Sequence, residues 1–138
     1  MKNTTTGLLV TPTINADKKS ITLNIKHIDM SQLKDAQTQL ERIYALLECR
    51  TIDIVCTPKG DIYIDDEGLL VEYNPVISFS LDENSQNFNL AGILLFSNGT
   101  DAEGNTIWFD KNKIIDLATI KDIEESLKKY TFLGFSEY

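Results

Sequence analysis

Apolar and polar residues alternate between Ile21 and Ile28, where Ile21, Leu23 and Ile25 are separated by Thr22, Asn24 and Lys26. A period of two marks a strand with one buried face. Leu8 to Thr11 reads as an earlier strand, and the polar turn "NADKKS" between them predicts an N-terminal hairpin. The period then changes. Leu33, Ala36, Leu40, Ile43, Tyr44 and Leu47 recur at helical spacing, opposite Lys34, Asp35, Gln37, Gln39, Glu41 and Arg42. This predicts an amphipathic helix ending near Glu48 and capped by Asp29 or Ser31, since Asp29 and Gln32 have capping-box spacing.

Alternation returns at Thr51 to Thr57, with Ile52, Ile54 and Cys56 set against Asp53, Val55 and Thr57. After the turn "TPKGD", Ile62 to Asp65 and Leu69 to Tyr73 read as two further strands. They flank Asp65-Asp66-Glu67-Gly68, which predicts a hairpin turn with Gly68 as its left-handed residue. The stretch "VISFSLDENSQNFN" suits either a short helix or a loop, with Asp82 to Asn87 as its polar tip. Leu90 to Phe96 is apolar except for Gly92, the pattern of one central strand with a bulge or close approach at the glycine. The turn-rich "SNGTDAEGN" leads to a short strand, Thr106 to Phe109. A last amphipathic helix follows, with Thr119 and Asp122 at capping-box spacing and a stripe of Ile120, Ile123, Leu127 and Tyr130. The expected fold is α+β: one domain over residues 1–138, a mixed, mainly antiparallel sheet with two amphipathic helices packed on it.

Composition adds little to that picture. The 138 residues are 42% hydrophobic and 25% charged, the balance of an ordinary globular domain. No run approaches a membrane span and no targeting segment is visible, so a cytoplasmic protein is expected. Cys49 and Cys56 read as reduced, buried thiols.

Charge changes the picture more. The net charge is −8, and it is unevenly spread. From Asp61 to Asp110 there is no Lys or Arg against ten acidic residues. Such a segment repels nucleic acid and anionic membrane and steers a basic partner, although acidic surfaces also serve solubility alone.

Candidate chemistry is thin. Placing Gly68 at the sixth position of a calcium loop puts Tyr63 first and Asn74 twelfth, and neither is the required ligand. A turn therefore explains the acidic cluster, and the same holds for Asp101-Ala102-Glu103-Gly104-Asn105. His27 is the single histidine, with no ligand-spaced Cys or carboxylate, and reads as a sheet-edge residue. No phosphate-binding glycine loop, dinucleotide fingerprint or nucleophile elbow occurs. No cofactor, metal or catalytic residue is expected. Trp108, beside Phe109, is the candidate anchor for a partner, or else a core residue. The tail "YTFLGFSEY" concentrates aromatics, with Tyr130, Phe132, Phe135 and Tyr138 either docked on the core or forming a self-association patch.

At "YALLECRTIDIVCTPKGDIYIDDEGLLVEYNP", at "LAGILLFSNGTDAEGNTIWFD" and in the closing helix, the chain resembles an uncharacterised family of small proteins from bacteriophages and mobile elements, a domain of unknown function. The matching positions are Asp66-Glu67-Gly68-Leu69-Leu70, Asn74, Gly92 and Glu103-Gly104, within a span from about Leu33 to Tyr130. The resemblance implies a phage or mobile-element origin and the host bacterial cytoplasm. It brings no established activity.

The expected function is a non-enzymatic acidic binding protein, in its most concrete form a counter-defence protein engaging a basic surface of a host protein. Asp65, Asp66, Glu67, Asp101 and Glu103 would supply charge and Trp108 an anchor. One alternative is an oligomeric sponge for a small nucleotide signal, with Lys26, Arg42, Arg50 and Lys59 gathered between subunits. A second is a structural or accessory protein of the element.

Overall fold

The first hairpin pairs β1 (Thr5–Ile14) with β2 (Ile21–Asp29) over its whole length, from Thr6 opposite Asp29 to Ile14 opposite Ile21. Asp17 closes its turn by accepting from the Lys19 and Ser20 amides at 2.9 and 3.1 Å. The computed structural model describes residues 5–31, 35–68, 74–81 and 87–136. Within them the chain is α+β and every ladder is antiparallel.

Helix α1 (Ala36–Leu47) begins later than its pattern suggests. Asp29 is still paired in the hairpin, so neither it nor Ser31 is the cap. Asp35 takes that place, accepting from the Thr38 amide at 2.7 Å. Leu33 lies outside the described residues.

Strands β3 (Ile52–Thr57) and β4 (Gly60–Asp65) form the next hairpin. Its turn needs Gly60: φ is +124°, and a Cβ there would lie 2.1 Å from the Ser97 carbonyl oxygen. Gly68 does not adopt the expected left-handed conformation. It is buried against the Ala91 carbonyl, and its own carbonyl accepts from the Asn74 side chain at 2.9 Å. The strand expected at Leu69 to Tyr73 lies outside the described residues.

The apolar run Leu90 to Phe96 is two strands rather than one. β5 (Pro75–Phe79) pairs with β6 (Phe88–Ala91), and then Gly92, at φ +78°, turns the chain out of that sheet and into β7 (Leu94–Ser97) of the other. A side chain at Gly92 would strike the Asn74 amide at 2.9 Å. Both strands are buried, one in each sheet, so their sequences merge into a single hydrophobic run.

The main sheet has the order β2-β1-β7-β4-β3, and the two-residue β8 (Phe109–Asp110) pairs with β1 at Thr5 and Thr6. The expected strand at Thr106 to Phe109 is thus split between a bridge at Thr106 and β8. Helix α2 (Ile114–Leu127) starts five residues before the expected cap. Thr119 lies inside it, its hydroxyl donating to the Ile115 carbonyl. The tail becomes β9 (Thr131–Phe135), completing a second sheet of order β6-β5-β9.

Because side chains alternate along a strand, the main sheet carries two cores. One face presents Leu8, Val10, Ile62, Leu94 and Phe96 to Ile77 and Phe79 of the small sheet and to Ile120, Ile123 and Leu127 of α2. Phe132, Phe135 and Tyr130 pack against this core, and the Tyr130 hydroxyl donates to the Ile21 carbonyl. The other face presents Tyr63 and Leu95 to Ile43 and Leu47 of α1. The helices therefore lie on opposite faces of the main sheet. Among the described residues no helix is long and apolar enough to cross a membrane.

Candidate interaction groove

On the α1 face the main sheet is incompletely covered at its β3 end. β3 is an outer strand, so one row of its backbone groups faces no strand among the described residues. Beside it a groove of about 550 Å³ runs between α1 and the turn that connects β7 to β8. Ile43, Ile52, Ile54 and Tyr63 make its floor, Asp35, Gln39 and Leu40 one wall, and Thr100 and Gly104 to Thr106 the other. Ile54 is 45% exposed, although its alternating sequence pattern assigned it to a buried face. That pattern reports which residues share a face, but not that the strand lies at an edge.

Of the two acidic turns only the second borders this groove, its Thr100 and Gly104 to Thr106 forming a wall. Asp65, opposite Ile52 in the β3–β4 ladder, accepts from the Glu67 amide at 2.9 Å. Asp101 accepts from the amides of Glu103 and Asn105, both at 2.9 Å, and Gly104 supplies the left-handed residue at φ +86°. The Asn105 amide is the main cause holding the Asp101 carboxyl below its usual range. Asp65 and Asp101 thus shape their turns, and Asp66, Glu67, Asp101 and Glu103 are all exposed. The first turn borders a depression at the end of α1 that contains Arg50 with Glu48, Asp65 and Glu67, so its field is partly neutralised.

Trp108 does not join the exposed set. It is 7% exposed, stacked on Tyr63 with ring centroids 6.2 Å apart, and packed under α1. A ring so covered has no surface to offer as an anchor. Its Nε1 finds no acceptor among the described residues. Tyr63, which supports it, reaches Thr106 through its hydroxyl and so ties the acidic turn to the floor.

The remaining candidates scatter. Both cysteines are free, and Cys56 is exposed on β3 rather than buried. His27 lies on the edge strand β2, its Nε2 3.6 Å from a Glu124 carboxylate oxygen. Lys26, Arg42, Arg50 and Lys59 sit on β2, α1, the link after α1 and the β3–β4 turn. Only Lys59 lines the cleft of about 550 Å³ between α2 and the small sheet, where Asp122 holds it at 3.3 Å. Among the described residues no three His, Cys, Asp or Glu side chains group as metal ligands.

No protein-family model matches the chain, and no curated protein or solved structure matches it either.

Proposed function

We propose that the chain is a non-enzymatic binding protein whose groove between α1 and the β7–β8 turn holds a cationic, partly apolar segment of another protein. The observation that carries this reading is the groove itself: an aliphatic floor, a free strand edge, Asp35 on one wall and the acidic 100–106 turn as the other. An extended segment aligned with β3 would complete its unpaired backbone groups and set alternate side chains over Ile52 and Ile54. Lysines and arginines on that segment would face Asp35, Asp101 and Glu103. Trp108 acts from beneath, by stiffening Tyr63. In the phage or mobile-element setting that the resemblance implies, the segment belongs to a host protein, and covering it is a form of counter-defence.

Titrating the isotope-labelled chain with a synthetic peptide of alternating lysine and valine tests this by nuclear magnetic resonance. Shifts are expected at Ile52 to Thr57, at Leu40 and at the 100–106 turn. Shifts confined to the cleft between α2 and the small sheet, or none at saturating peptide, would sink the proposal.

A further inference from the structure

The chemistry that the groove selects is also present on the chain itself. The first turn of α2 exposes Ile114 at 86%, Ile115 at 74% and Leu117 at 46%, a cluster of large aliphatics at one point of the surface. Isolated exposed aliphatics are normal, but adjacent ones flanked by charge mark a contact site. Here three lysines flank them, inside Asp110 and Asp122 at the two ends of the stretch. Between positions 111 and 121 lie Lys111, Lys113 and Lys121, and the one acid, Asp116, is buried. Asp116 is also occupied, accepting from the Asp110 amide at 2.8 Å and the Asn98 side chain at 3.2 Å. None of the three lysines forms an ion pair among the described residues. This small basic and aliphatic surface belongs to a chain of net charge −8.

We infer that the α2 patch of one copy docks into the groove of a second copy. Ile114 and Ile115 would cover Leu40 and Ile54, and the lysines would meet the acidic rim. The complementarity is of both kinds, aliphatic on aliphatic and positive on negative, and each half is exposed in the single chain. Patch and groove belong to the layers on opposite faces of the main sheet, so one chain cannot satisfy both within itself. A contact between two different surfaces is heterologous and leaves a free patch and a free groove at the ends. Association is therefore expected to grow with concentration and to weaken with salt. The inference uses the proposed groove but does not depend on a foreign partner, with which the second copy would compete.

Sedimentation velocity tests it. The weight-average mass of the unaltered chain should rise with concentration. Ile114→Glu and Ile54→Glu, both at exposed positions, should each remain monomeric with an unchanged circular dichroism spectrum. Mixed together, they should form a one-to-one complex and nothing larger, because one keeps the groove and the other keeps the patch. Lys113→Glu, at an exposed position, should lower association without touching the floor. A chain that stays monomeric up to its solubility limit overturns the inference, as does a mixture in which the two variants ignore each other. Peptide binding to Ile114→Glu separates the two proposals, since that variant keeps an open groove whichever way self-association turns out.

Discussion

Carboxylates in this chain serve two purposes, and neighbours in sequence divide them. Asp65 and Asp101 are taken up by amides of their own turns, whereas Asp66 and Glu103 stand exposed beside them. The same selectivity governs the thiols. Cys56 lies opposite Asp61 in the β3–β4 ladder, and that carboxylate pushes the thiol above its ordinary value. The sign is plain: a raised pKa leaves less thiolate, the reactive form, at any pH below it. Cys56 should therefore alkylate more slowly than a free thiol near about pH 8 despite its exposure, and Asp61→Asn should speed it by several-fold. Mass spectrometry of iodoacetamide-treated protein checks this, and equal rates in both forms would remove Asp61 as the cause. Cys56 alternates with Ile52 and Ile54, a pattern that reads as a covered face. It carried no sign that the face opens at a sheet edge.

At the scale of elements, α1 frames the groove, and its ends explain both what the sequence revealed and what it hid. Its 3.6-residue period was legible because Ile43 and Leu47 must both reach the sheet. Its start was not, because two plausible caps, Asp29 and Ser31, precede the real one, and only the length of the β1–β2 ladder decides among them. At its other end Glu48 takes a left-handed conformation, φ +53°, which costs a side-chain-bearing residue about 1 kcal/mol relative to glycine. Glu48→Gly should thus raise the unfolding free energy by up to about 1 kcal/mol, measured by urea denaturation. A loss of stability instead would show that Glu48 makes a compensating contact. Gly92 hid a larger feature. A corner between two sheets and a bulge in one strand both call for glycine within an apolar run, and the distinction lies in Asn74, eighteen positions earlier, which packs against it. The strands and the two helices were readable because each depends on local period, whereas the expected mixed sheet is antiparallel throughout the described residues. The division into two sheets depends on which strands meet, and no local pattern encodes that.

For the whole molecule, the charge asymmetry visible in the sequence has a place in the fold but is narrower than fifty residues without a cation suggested. Asp61 is buried and occupied by Thr100, and Arg50 from the other half of the chain neutralises part of the first acidic turn. What remains is Asp35 and the acidic 101–103 turn beside an aliphatic groove. Binding in the proposed groove should therefore be electrostatic at its edge and apolar at its centre. The most direct test is the dissociation constant of the lysine–valine peptide, measured by isothermal titration from about 0.05 to about 0.5 M salt, a range over which screening shortens from beyond to within the width of a side chain. At least a roughly tenfold weakening is expected across that range, with about threefold loss from Glu103→Lys at low salt, the size expected of a single exposed charge. A dissociation constant that does not change with salt, and does not respond to that substitution, would contradict the proposed groove.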